Sequence, residues 1–322
     1  MRPPLMALGL CVLVLGPTGC IEKMLTNGEI ESTRRASDAF DTIGDYELAL
    51  SATQAGLVQF EGMHALAPDN ADALFLLVKG WSGYGYGFLE DEMEAAEDAG
   101  DADLADYQRK RARMAYDRAV FYGVRGLAQK AEGFDEARKS AQTMSKWLGD
   151  HFTEKADAEF LFWTGNAWAS RVDLMKGDDV EGPGFIAELY VGAAMLERAM
   201  ALDPGFEHFS GPVALAAYHA RSNLAELDQA RQLFETSLAK TEWKSLIVPF
   251  IYATKYACMR GDGVLYRDLL DRVLSAEDPD PQQRLTNAIA KRRAKRWLGK
   301  RRAKEECGID LAASAPPPGP PR

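Results

Sequence analysis

From about residue 43 to residue 308 the apolar residues recur at three- and four-residue spacing, with few β-branched runs and no alternating stretch. That period predicts an all-α chain. In the segment that continues from "NADALFLLVKGW", Leu74, Leu77, Val78, Trp81, Tyr84 and Phe88 share one helical face, while Phe75, Ser82 and Tyr86 share another. A second segment, "ADAEFLFWTGNAWASRVDL", sets Phe160, Trp163 and Ala167 on one face, Phe162 and Asn166 on another, and Trp168 near a third. Helices this apolar all round are buried among other helices or line an internal cavity. Trp81, Tyr84, Tyr86, Phe88, Trp163 and Trp168 are therefore the candidate ligand-lining residues.

The stretch "GWSGYGYGFLED" places Gly80, Gly83, Gly85 and Gly87 within one helical pattern. Each helical glycine costs roughly 1 kcal/mol relative to alanine. Either a neighbouring helix or a ligand should approach closely there. A phosphate loop is excluded: such a loop follows a strand and opens a helix, whereas these glycines follow a helix, lack a Lys-Ser/Thr pair and lead into acid.

Internal repeats refine the fold. "ALAPDNADALFLL" has the form of a junction between tetratricopeptide units, and its helix carries Gly56, Phe60 and Met63 in small, large, medium order. "AMALDPGFEH" repeats the junction after Gly192, Leu196 and Ala199. Pro68 and Pro204 lie 136 residues apart, four times the roughly 34-residue tetratricopeptide period. Ala230, Phe234 and Ser237 make a further copy, and Ala112, Tyr116 and Ala119 a weaker one. The expectation is a tetratricopeptide-like helical-repeat domain over residues 43–308, irregular between Lys79 and Leu189.

The chain ends read differently. "MRPPLMALGLCVLVLGPTGC" has one charge, at Arg2, and an apolar run from Leu5 to Leu15. That is a secretory signal pattern, too short to span a bilayer. Cys20 after Thr18-Gly19 resembles a lipoprotein lipobox, with Pro17 as a departure. The resemblance implies removal of residues 1–19, acylation of Cys20 and a polar tether through residue 42; an ordinary signal cut elsewhere is the alternative. Glu22 follows Ile21, with no Asp directly after the cysteine, which by the same resemblance favours the periplasmic face of the outer membrane. Residues 309–322, ending "APPPGPPR", read as a disordered Pro-rich tail. With Cys11 lost and Cys20 acylated, only Cys258 and Cys307 are left to pair.

A net charge of −10 and a pI near 5.1 argue against nucleic-acid binding, which needs a basic face. Residues Glu90 to Asp106 hold nine acids and no base. They lack the order of a calcium loop and read as a solvated loop. Between Lys291 and Lys304 there are nine basic residues. That segment reads as an amphipathic capping helix with a solvated face around Trp297 and Leu298, or as a dock for an anionic membrane or an acidic partner. His64, His151, His208 and His219 form no HExxH pair or metal-ligand cluster, and no G-x-S-x-G elbow occurs. No catalytic residue, metal or cofactor is expected.

Taken together, Cys20, "DNADALFLLVKGWSGYGYGFLEDE", "EFLFWTGNAWASRVDL", "LERAMALDPGFEHFSGP" and "YRDLLDRVLSAEDPDPQQRLTNAIAKRRAKRWL" resemble the TatT component family of TRAP transporter systems, over about Ile43 to Leu298. The resemblance implies a periplasmic lipoprotein of modified tetratricopeptide repeats, a solute-binding protein as partner, and a homotrimer with a through-going pore. It also implies a non-enzymatic role passing a hydrophobic or organic-acid ligand. The competing readings are an outer-membrane assembly scaffold that grips peptides or barrel proteins, and a hydrolase, for which no clustered nucleophile and base are found.

Overall fold

The computed structural model describes residues 18–221 and 226–312. The segment 1–17, the tail from 313 and the Cys20 side chain lie outside the described residues, so the signal, acylation and tail expectations are not addressed by it. Among the described residues every regular element is helical.

Helix α1 (Thr18–Ala36) leads through a 3-10 turn (Ser37–Thr42) to α2 (Tyr46–Leu66). Next, α3 (Ala71–Tyr84) runs without a break through a π-helical turn (Gly85–Leu89) into α4 (Glu90–Ala99). The long α5 (Ala102–Lys130) is followed by α6 (Phe134–Ala137), α7 (Ala141–His151) and α8 (Asp157–Met175). Then come α9 (Gly182–Ala187), α10 (Leu189–Leu202), α11 (Phe206–His219) and α12 (Leu227–Thr241). The last part holds α13 (Ile247–Ile251), a second π-helical turn (Tyr252–Ala257), α14 (Cys258–Arg260) and α15 (Gly263–Ser275). A 3-10 turn (Pro281–Gln283), α16 (Arg284–Trp297) and α17 (Lys300–Cys307) complete it.

Local chemistry sets the boundaries. Asp45, Asn70, Asp101 and Asp262 each cap a helix by accepting the N–H three residues on, at 3.0–3.1 Å. Both Pro-containing junctions fall between helices, α2–α3 and α10–α11, where the sequence places them. Three of the four small–large triplets are core: Ala112, Tyr116, Ala119, Gly192, Leu196, Ala199, Ala230, Phe234 and Ser237 are all buried, whereas in the first only Met63 is buried and Gly56 and Phe60 are half-buried. Between α8 and α10 the backbones nearly touch, since a Cβ on Gly165 would stand 2.9 Å from the Gly192 carbonyl. Larger residues at that crossing would force the pair apart.

Packing follows chain order from α2 through α3, α5, α8, α10, α11, α12 and α13 to α16, and α16 then returns to α2 and the first 3-10 turn. In an open solenoid each repeat touches only its neighbours. Here α16 packs back on α2 and the first 3-10 turn, so the architecture is compatible with tetratricopeptide-like stacking but its helix order closes into a ring.

Three expectations need correction. The acidic Glu90–Asp106 stretch is not a solvated loop: α4 occupies most of it, and Asp91 and Glu94 are buried. The residues read as a tether are helical, and α1 docks on the domain through buried Ile30 and an Arg34–Glu159 ion pair of 2.6 Å. The packed chain also extends past residue 308, because Ile309 and Leu311 are buried in the C-terminal core. That core carries a Cys258–Cys307 disulfide between α14 and α17, settling the pairing that the sequence left open.

Candidate functional site

Two helical stripes of half-accessible residues define the candidate site. Lys79, Gly83, Tyr86 and Glu90 follow one another along α3, the π turn and the start of α4. Trp163, Asn166, Ser170 and Asp173 do the same along α8. The stripes belong together: Asn166 reaches Ser82 with a long 3.5 Å hydrogen bond, and the Lys79 ammonium lies 5.7 Å from the Trp163 ring centroid. Lys255, from the second π turn, donates to Asp173 at 2.6 Å and couples electrostatically to Glu90 and Tyr86.

Lys255 and Asp173 keep 41% and 47% of their side-chain surface open to water, yet protein surrounds both closely enough for desolvation to act on their charges. Groups both accessible and crowded fit a concave wall. Burial pushes the Asp173 carboxyl up, but Lys255 and Lys176 more than offset it and hold it well below the usual carboxylate range. Asp173 in turn raises the Lys255 ammonium above its usual value. Tyr86 is pushed up to about 12, mainly by burial, so its hydroxyl stays protonated at neutral pH. The Trp163 Nε1 is buried with no hydrogen-bond partner, leaving an indole donor unspent, which is costly unless something accepts from it.

At one edge of the wall Lys79 gathers three carboxylates: Asp41 at 3.3 Å, Glu207 at 3.4 Å and Asp38 at 3.9 Å. Burial lowers the Lys79 affinity for its proton, but Glu207 and Asp41 outweigh that and raise it.

The glycine stretch resolves into two uses. A Cβ on Gly85 would stand 2.9 Å from the Tyr116 ring, on Gly87 2.8 Å from Ile289, and on Gly80 3.0 Å from Leu57. These three permit helix crossings. A Cβ on Gly83, in line with Lys79 and Tyr86, would meet nothing within 4 Å.

The six candidate aromatics separate accordingly. Tyr86 and Trp163 lie in the lining stripes. Tyr84, Phe88 and Trp168 are only 6%, 2% and 3% exposed and offer a ligand almost no surface. Tyr84 accepts from Arg111 and Gln54, Phe88 packs with Leu57 and Ile289, and Trp168 donates to the Glu188 carbonyl. Trp81 is half-buried, donating to Glu61 at 2.9 Å with the Arg118 guanidinium over its ring. Sequence reasoning missed Lys79, Ser170, Asp173, Lys255 and Glu207, because α8, α11 and the second π turn are brought to α3 by tertiary packing alone. The period of Trp163, Asn166, Ser170 and Asp173 was the available signal.

Next to the hollow, α4 and α16–α17 form a clasp. Arg293 binds Glu94 at 2.5 Å and Glu90 at 3.2 Å; Arg296 binds Asp91 at 2.6 Å and Glu94 at 3.1 Å. Arg302 binds Asp98 at 2.9 Å and Glu97 at 3.1 Å. The basic segment is thus solvated on one side only: Arg292, Lys295, Lys300, Arg301 and Lys304 are exposed, whereas Arg293 and Arg302 are each 5% exposed. Its acidic partner lies in the same chain. For Asp91 and Glu94 burial acts upward, but the arginines prevail and hold both carboxyls below their usual values. Glu90 goes the other way, because burial outweighs Arg293.

His64 and His219 each leave one ring nitrogen buried and unpaired, and His219 faces Glu226 at 3.2 Å. Among the described residues no three His, Cys, Asp or Glu side chains are grouped to hold a metal ion, and no helix is long and apolar enough to cross a membrane.

The family described as TRAP transporter T-component matches residues 43–304, and the chain belongs to it. No curated protein matches the chain. Membership gives an accessory role in a TRAP transporter system.

Proposed function

We propose that the protein passes a small ligand, apolar in body with an acidic or hydrogen-bonding head, through the hollow lined by Tyr86, Trp163, Asn166 and Ser170. The observation that carries this reading is the pairing of accessibility with enclosure at Asp173 and Lys255. The protonated Tyr86 hydroxyl supplies a hydrogen bond to the head, and the rings supply contact to the body.

The chain is held at the periplasmic face of the outer membrane by acylated Cys20 after removal of residues 1–19, and α1 sets the domain close to that anchor. Its partner is the periplasmic solute-binding protein of the same TRAP system. The face that suits such a partner is the outer side of α2 and α5, where Val58, Tyr107, Met114 and Phe121 are each more than half exposed around the Glu61–Arg118 pair. Exposed aromatics, Met and Arg are the residue types enriched at protein interfaces.

Native mass spectrometry of gently extracted protein tests the reading, since it reports ligand, partner and copy number together. The expected result is a bound small molecule that is lost in W163A/Y86A and a solute-binding partner that is lost in M114E/F121E, with helicity kept in both. A trimer is the expected copy number. Ligand-free protein that copurifies with peptides would contradict the passage reading.

A further inference from the structure

Five residues other than glycine adopt left-handed backbone among the described residues: Glu207, His208 and Phe209 at φ 46°, 54° and 63°, and Glu242 and Trp243 at φ 51° and 62°. L-residues take up this conformation at a cost, and three in succession are uncommon. All five gather at one place. A cavity of about 210 Å³ lies there, lined by His208, Phe209, Thr241, Glu242, Asp280 and Gln283.

The strained turn is also a side of the hollow. Glu207 is its first left-handed residue, and its carboxylate is held by Lys79 at 3.4 Å, beside the Trp163 ring. The same ammonium holds Asp41 and Asp38 from the first 3-10 turn, which packs on the 3-10 turn carrying Gln283. One cation therefore joins three elements at this edge, with strained backbone on one side and unfilled space behind it. Phe206, packed on Phe162 at 5.5 Å, fixes the base of the turn.

We infer that Glu207–Phe209 is a sprung latch at one mouth of the hollow. It is kept left-handed while Lys79 grips Glu207, and it turns back into the cavity behind it when that grip is lost. Strain of this kind persists only where surrounding contacts enforce it; here Ser210 Oγ donates to the Glu207 carbonyl at 2.6 Å within the turn, and the ion pair to Lys79 is the contact that ties the turn to the wall. This inference rests on the reading of the hollow as a passage and deepens it: a ligand carboxylate arriving beside Trp163 competes with Glu207 for Lys79, so an anionic ligand opens its own way. Lys79 remains neutralised by Asp41 throughout.

Hydrogen exchange across residues 205–211 tests the latch without any ligand. E207Q, which keeps the shape and removes the charge, should speed exchange there at least fivefold and double the acrylamide quenching assigned to Trp163 by difference from W163F. H208G, which relieves the left-handed strain, should slow exchange relative to H208A. Sodium benzoate should reproduce the E207Q pattern in the parent protein and leave K79M unchanged. Unaltered exchange in E207Q, or equal behaviour of H208G and H208A, overturns the latch; a benzoate effect absent from the parent overturns its opening by an anion. Because the first two readouts need no ligand, they stand apart from the passage reading, which fails instead if native mass spectrometry finds the hollow always empty.

Discussion

Residues 79–90 and residues 90–98 lie on one continuous helical run, yet they use charge in opposite ways. At the clasp, Asp91 and Glu94 are 1% and 3% exposed and face arginines on several sides, with Trp297 adding a 3.1 Å hydrogen bond to Glu94. At the hollow, Asp173 and Lys255 keep much of their surface open, Lys79 keeps 20%, and the Trp163 donor has no partner. The clasp spends its charges on itself and leaves nothing for a ligand. The hollow withholds some of its polar groups from the protein. Glu90 marks the boundary: it accepts from Tyr116 at 2.5 Å and from Arg293 on the clasp side, and it feels Lys255 on the other.

The comparison is broken most severely at Arg293. Replacing it by Met leaves Glu94 and Glu90 buried without their main cation, a change that costs about 3–5 kcal/mol in buried pairs. Urea unfolding should show that loss, with α16–α17 exchanging first by hydrogen-exchange mass spectrometry. A loss under about 1 kcal/mol, the level of exposed pairs, would mean that the clasp is open to water in solution.

Acid sharpens the same contrast. Asp91 has a folded-state pKa below its unfolded value, so its contribution to stability is full above the unfolded value near 4 and disappears as pH falls through the folded one. D91N should therefore be less stable than the parent at pH 7 but lose less stability between pH 5 and pH 2. Parallel pH profiles for the two proteins would remove Asp91 from the account.

Much of this fold is legible in the sequence because its signals are local. The 3.6-residue period, the Asp and Asn caps and the two Pro junctions are each read within a single helix or turn. The buried triplets at Ala112, Gly192 and Ala230 are read in the same way. What escaped reading depends on distance along the chain. Nothing near Glu90 announces that Arg293, more than two hundred residues later, neutralises it, so an acidic run looks like a solvated loop. For the same reason the aromatic positions were only partly sorted. A helix that is apolar all round shows no preferred side, and only the positions of α5, α8 and α16 decide that Tyr84 and Phe88 pack while Tyr86 and Trp163 remain accessible.

The central claim, an open hollow inside a closed ring of helices, is tested most directly at two glycines two residues apart. The built Cβ of Gly83 meets nothing within 4 Å, whereas that of Gly85 meets the Tyr116 ring at 2.9 Å. Thermal melts of G83F and G85A decide it, read beside ligand occupancy by native mass spectrometry. The account predicts that G83F melts at or above the parent temperature, gaining helix propensity, and carries no ligand. It predicts that G85A, the smaller change, melts lower by the overpacking cost of about 1–3 kcal/mol. A G83F melt that falls as far as that of G85A would show that the space beside Tyr86 is filled core.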